Sequence, residues 1–225
     1  MALGQIVESS HVLYKLLIGI GLLGLIASFH GIILAGGRSI MEFGRVGYAP
    51  KYLGNIHSKF KTPANANYEK KFYDFNIKSI TGEKINLKDY KNRVILVVNT
   101  ASYCGFTKQY DELQELWDLY KEKGLIVLGV PSNSFNQEKN NNADVKEFCE
   151  VNFNINFPLT TIIEVKGKNA HEIFKWAKKN HGNSAEPKWN FHKILINKEG
   201  KVEDTFASFT KPLSKKIIKA IENNL

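Results

Sequence analysis

The 225-residue chain is poor in cysteine and proline and contains no internal repeat. Two cysteines exclude a disulfide scaffold, and six prolines among 43% apolar residues leave the bulk able to fold around a core. The absence of any period of roughly 20 to 50 residues argues against a solenoid. The phosphate-loop pattern GxxxxGKS, the zinc-protease pattern HExxH and the redox pattern CxxC are all missing. The six histidines (His11, His30, His57, His171, His181 and His192) stand at no metal-ligand spacing, so no metal is expected. Acidic residues number 22 against 31 Lys and Arg, a net charge of +9. The lysines are dispersed, with Lys215, Lys216 and Lys219 the densest group. The basic and aromatic stretch Lys188–Lys193 reads as a solvated face, so no nucleic-acid partner is expected.

Charge is also absent from one long segment. Leu16–Ala35 (LLIGIGLLGLIASFHGIILA) holds no Asp, Glu, Lys or Arg, and Ser28 and His30 are its only polar side chains. About twenty apolar residues suffice for a helix to cross a hydrocarbon core. The expectation is a membrane helix over about 12–35, within a first region 1–67. Met1–Ser10 carries Glu8 and no basic residue, which argues against a cleaved signal peptide. Arg38, Arg45, Lys51, Lys59 and Lys61 follow the run, which sets the C-terminal side in the cytosol by the positive-inside rule. Ala27–Ala66, with SFHGIILA, GRVGYAPK and KFKTPANA, resembles a stretch of amino-acid and ethanolamine permeases. That resemblance covers about 40 residues. Permeases need about ten or more helices to build a site, so transport by this chain alone is not expected. Asn65-Ala66-Asn67 marks the junction with the second region, 68–225.

From Tyr68 the pattern is that of an α/β domain. Phe72–Ile77 and Ile85–Leu87 around Thr81-Gly82 predict a hairpin. Val94–Asn99 and Leu125–Val130 are continuous apolar runs that predict buried central strands. Gln109–Tyr120 predicts a helix burying Leu113, Leu116, Trp117 and Tyr120, stopped by Gly124. Asp144–Val151 predicts a helix with Val145, Phe148 and Cys149 inward, and Leu159–Val165 a further strand. A helix over Ala170–Lys179, a hairpin around Lys198-Glu199-Gly200 and a helix within Pro212–Leu225 complete the set. This order fits a thioredoxin-like fold, a central mixed sheet flanked by helices.

Cys104 lies just after the strand VILVVNT and before a helix expected from near Thr107. Free N–H groups at a helix start stabilise a thiolate, the nucleophilic form of an otherwise mostly protonated thiol. By placement alone, an inert buried cysteine is an equal alternative.

VNTASYCGFT (Val98–Thr107) resembles the active-site strand of glutathione peroxidases. So do VPSNSFNQE (Val130–Glu138), EFCEVNFNINFPL (Glu147–Leu159), GKNAHEIFKW (Gly167–Trp176) and WNFHKILI (Trp189–Ile196). The blocks keep the family's order and nearly its spacing over all of 68–225. The resemblance implies a peroxidatic thiol at Cys104 held by Gln137, Trp189 and Asn190. It implies a sulfenic-acid intermediate, regeneration by glutathione or thioredoxin, and no metal or organic cofactor. Two departures stand out: Ser132 replaces a frequent cysteine, and the loop before Gln137 is one residue short. Cys149 is a candidate resolving cysteine, but it falls one position before that of plant-like members, about 100° round a helix. The insertion that supports tetramers is absent between Trp176 and Trp189, so a monomeric peroxidase domain open to bulky hydroperoxides is expected.

The expected function is thus a thiol peroxidase reducing hydrogen peroxide and organic or lipid hydroperoxides. The expected location is the cytoplasm, with the domain anchored to the cytoplasmic side of a membrane through residues 12–35. The alternative is a peroxide sensor or redox relay that passes oxidation from Cys104 to a protein partner.

Overall fold

The computed structural model describes residues 70–225. The uncharged run Leu16–Ala35 and the permease-like stretch Ala27–Ala66 lie outside the described residues. Among those described, no helix is long and apolar enough to cross a membrane.

Among the described residues six strands and four α-helices follow one another. A 3-10 turn at Phe72–Asp74 leads into the short antiparallel hairpin β1 (Ile77–Lys78) and β2 (Lys84–Ile85). Then come β3 (Val94–Thr100), α1 (Gln109–Tyr120), β4 (Leu125–Pro131), α2 (Asn142–Phe153) and α3 (Glu172–His181). β5 (Lys193–Ile196), β6 (Val202–Phe206) and α4 (Lys215–Glu222) close the domain.

The main sheet has the order β4-β3-β5-β6. β4 runs parallel to β3, with Val97 opposite Leu128, while β5 and β6 are antiparallel additions, with Leu96 opposite Leu195. All seven residues of β3 and of β4 are buried. Strand alternation sends Ile95, Val97 and Leu128 to one face, against Ile173, Phe174 and Ala177 of α3. Val94, Leu96 and Val98 go to the other, against Leu113 and Leu116 of α1, Val145 and Cys149 of α2 and Ile217 of α4. This two-faced α/β sheet is thioredoxin-like.

Several expectations are corrected. Leu159–Val165 is not a strand; it makes only isolated bridges, Gly129 with Leu159 and Ser79 with Thr160. Thr160 and Ile163 donate to the β4 carbonyls of Gly129 and Pro131, but the N–H groups between and beyond them turn elsewhere: Thr161 to the Lys78 carbonyl, Ile162 to Asn142 Oδ1 and Val165 to Ser134 Oγ. With donors divided this way, no single ladder forms. Phe72–Asp74 is a 3-10 turn, tied to the β5–β6 turn by the Phe72 N–H on the Gly200 carbonyl at 2.9 Å. Trp117 and Phe148 are half-buried rather than buried. The first helix spans Gln109–Tyr120, as its residue pattern predicts, and so starts two residues past Thr107.

Candidate active site

The C-terminal ends of β3 and β4 and the start of β5 converge, as usual for ligand sites of open α/β sheets. Beyond β3 the chain turns through Ala101–Lys108 before α1 begins. Cys104 lies in this turn, 7% exposed, and its Sγ accepts the Phe106 N–H at 3.4 Å. The Cys104 N–H donates to Thr107 Oγ1 at 3.2 Å, and the Thr107 N–H returns to the Cys104 carbonyl at 3.0 Å. Because α1 starts five residues past Cys104, the helix dipole falls off before the sulfur, and the local N–H of Phe106 takes its place.

The loop after β4 carries Gln137. Asn136 adopts a left-handed backbone (φ 57°), and the Glu138 N–H donates to Asn133 Oδ1 at 3.2 Å. Asn and Asp tolerate that conformation better than most residues. The Tyr103 N–H donates to the Gln137 carbonyl at 2.9 Å, which docks this loop on the Cys104 turn.

The segment before β5 carries Trp189 and Asn190. Asn190 is fully buried, and its Nδ2 donates to Gln137 Oε1 at 2.9 Å. Trp189 is 42% exposed, with its ring 5.3 Å from that of Phe135. Gln137 and Asn190 are therefore joined directly, and Cys104 is joined to them through Tyr103.

Asn99, at the end of β3, fixes that last segment, a role the motifs did not reveal. Its Nδ2 donates to the Trp189 carbonyl at 3.2 Å, and its Oδ1 accepts the His192 N–H at 3.0 Å. Its carbonyl accepts the Phe191 N–H at 2.6 Å. Phe191 is held at φ 61°, a conformation unfavourable for a bulky side chain that must be over-determined by its surroundings. Glu138 was likewise missed: 5% exposed, it accepts from Ser102 and Lys139. Its burial pushes its carboxyl above the usual range.

Cys149 faces the core from α2 and is fully buried. Burial pushes its thiol up to about 11, and the neighbouring Tyr110 hydroxyl pulls it only partly back. Both cysteines are free thiols, and both belong to the same buried cluster. Among the described residues no group of three or more His, Cys, Asp or Glu could hold a metal ion.

Comparison with known proteins gives consistent relatives. Residues 72–178 match the family described as Glutathione peroxidase. The glutathione peroxidase of Lactococcus lactis subsp. cremoris is 43% identical over 144 residues, 63% of this chain and 92% of that protein. The hydroperoxy fatty acid reductase gpx1 of Synechocystis is 40% identical over 149 residues, 62% of this chain and 88% of that protein. The crystal structure of Trgpx in apo form superimposes with a TM-score of 0.54 at 37% identity, covering 68% of this chain and 97% of that one.

Proposed function

We propose a mechanism on the premise that this chain belongs to the glutathione peroxidase family and is a thiol peroxidase that reduces hydroperoxides. Cys104 is the peroxidatic residue. Its thiolate attacks the distal oxygen of the hydroperoxide; the S–O bond forms as the O–O bond breaks. The departing oxygen takes a proton and leaves as water or an alcohol, and Cys104 becomes a sulfenic acid. A first external thiol displaces water and forms a mixed disulfide. A second thiol releases Cys104 and carries away the disulfide. No prosthetic group takes part.

The observation that carries this reading is the 2.9 Å bond from Asn190 Nδ2 to Gln137 Oε1. With its oxygen engaged, Gln137 has its two Nε2 hydrogens free to face sulfur and peroxide. The Trp189 indole N–H is the third donor. Donors fixed in advance stabilise charge as it develops on the leaving oxygen.

Glutathione or thioredoxin supplies the external thiol. Cys149 enters as a resolving cysteine only if α2 opens, because its sulfur is fully buried and held as a thiol. The substrates are hydrogen peroxide and organic hydroperoxides, including those of fatty acids, in line with the Synechocystis relative. Leu16–Ala35 tethers the enzyme to the cytoplasmic face of a membrane.

The test is one equivalent of hydroperoxide added to the reduced protein, followed by peptide mass spectrometry. A sulfenic acid at Cys104 that glutathione captures supports the one-cysteine cycle. A Cys104–Cys149 disulfide supports resolution through α2 and thioredoxin. A long-lived mixed disulfide with a protein partner would favour the relay. Cys104 left reduced would overturn the assignment.

A further inference from the structure

Glu138 is an acidic side chain placed where carboxylates are seldom found. It is 5% exposed, next to Gln137 in sequence and against the Cys104 turn in space. One of its oxygens, Oε1, accepts three hydrogen bonds: the Ser102 N–H at 3.0 Å, the Ser102 hydroxyl at 2.5 Å and the Lys139 N–H at 2.8 Å. An oxygen accepting three donors is electron-rich, so the geometry is that of an ionised carboxylate. The two Ser102 bonds join the Cys104 turn to Glu138 on the Gln137 loop, and the Lys139 bond holds the carboxylate in place within that loop. The main-chain bond from Tyr103 to Gln137 joins the same two segments alongside.

We infer that Glu138 is a positioning residue for peroxide reduction: its charged carboxylate latches the Cys104 turn to the Gln137 loop and thereby fixes thiol and amide relative to each other. The inference rests on the assignment of Cys104 and Gln137 above. A small displacement between reacting groups costs about 10²-fold in rate. A single main-chain bond between two turns permits such displacement; three bonds across the same gap resist it. Charge-assisted bonds are about twice as strong as neutral ones, so a neutral side chain of equal shape is a weaker latch.

The groups around Glu138 set its response to pH. Lys139, whose ammonium sits 5.1 Å from the Tyr103 ring, is the nearby cation. Tyr110 on α1 and Cys149 on α2 feel the Glu138 charge from the interior side, where Oε2 is buried without a hydrogen-bond partner. Burial raises the carboxyl above its ordinary 4.5 despite the Ser102 and Lys139 donors. Protonation on the acid side therefore takes away the charge that strengthens the latch.

The experiment compares the full chain with Glu138→Gln and Ser102→Ala. For each, the rate of Cys104 with hydrogen peroxide is divided by its rate with iodoacetamide, from about pH 7 to about pH 5. Alkylation needs the thiolate but not the amide donors, so the ratio reports positioning. Glu138→Gln is expected to lower the ratio about tenfold at pH 7 and to flatten its decline toward acid. Ser102→Ala, which keeps the Ser102 N–H bond, is expected to lower it about threefold. An unchanged ratio with an intact acid decline in Glu138→Gln overturns the inference, as does a parallel fall of both rates, which would indicate general loosening. If Glu138→Gln does not fold, an unchanged ratio in Ser102→Ala overturns it alone. A parent chain whose Cys104 ignores peroxide overturns the assignment of the site instead.

Discussion

Asn190 Nδ2 donates to Gln137 Oε1 at 2.9 Å, across 53 residues of sequence. Each amide thereby fixes the orientation of the other, and the two act as a unit. Gln137→Ala removes the amide offered to sulfur and peroxide, and Asn190→Ala releases the oxygen that holds that amide in place. Each of Gln137→Ala and Asn190→Ala is expected to slow the Cys104–peroxide reaction by about 10²-fold. The double variant is expected to lose far less than the product of the two, because groups in direct contact are not additive. Stopped-flow rates on the four proteins give the coupling, and full additivity would show that the pair does not work as one.

The two cysteines are expected to differ in reactivity as they do in surroundings. With its thiol at about 11, Cys149 is ionised at pH 7 to only about one part in 10⁴. Its sulfur is also fully buried. Iodoacetamide at neutral pH is expected to label Cys104 and to leave Cys149 untouched until the chain is unfolded. Peptide mass spectrometry of briefly treated protein checks this. Rapid labelling of Cys149 in the native state would show that α2 opens readily and would favour a resolving role.

Gly129 lies within β4 where Leu159 and Phe157 press on the strand. A β-carbon there would collide with Leu159 Cδ2 and come within 3.1 Å of Phe157 Cε2. Both neighbours are buried core residues with little room to retreat. Gly129→Ala is expected to destabilise the domain by about 1–3 kcal/mol, the usual range for overpacking. The shift of the urea midpoint measures it, and an unchanged midpoint would mean that the Leu159 segment yields.

Much of the fold is written in local pattern. Val94–Thr100 and Leu125–Pro131 are apolar without a break because the sheet is covered on both faces, and Gln109–Tyr120 has a helical stripe. The segment Leu159–Val165 has the same apolar character, yet only Thr160 and Ile163 donate to β4 while Thr161, Ile162 and Val165 donate to Lys78, Asn142 and Ser134, and residue pattern carries no trace of that division. The candidate site is legible to the extent that motifs repeat. The resemblance gives roles to Cys104, Gln137, Trp189 and Asn190; Asn99 and Glu138 lie in the same blocks with no role attached. Asn99 did leave a signal, since a polar residue closing a buried strand must find partners. Glu138 left none. An isolated glutamate usually faces water, and its burial depends on Ser102, 36 residues away.

Lys193 is a further buried charge, and it yields a prediction about stability. It opens β5 fully buried, and its Nζ donates to Gln109 Oε1 at 2.5 Å and to the carbonyls of Thr210 at 2.7 Å and Ser208 at 3.3 Å. The ammonium thus ties β5 to the first residue of α1 and to the β6–α4 connection. Burial pushes it down from 10.5 to about 7, with Glu112 acting in the opposite sense. Between those values the unfolded chain binds a proton that the folded chain has released. Unfolding takes up that proton, so stability rises with pH from about 7 upward. Above about 9 the trend is opposed by Cys149, which ionises in the unfolded chain first because its folded value is raised to about 11. The clean window is therefore about pH 7 to 9, over which the rise is expected to be about 1–3 kcal/mol. Lys193→Met keeps the apolar stem, removes the titration and leaves the Thr210 carbonyl without the Lys193 donor. It is expected to flatten the dependence in that window and to lower stability at pH 9 by about 1–3 kcal/mol. Urea unfolding of both proteins at pH 7, 8 and 9 measures each effect; equal slopes in the two would show that Lys193 stays charged in the folded chain.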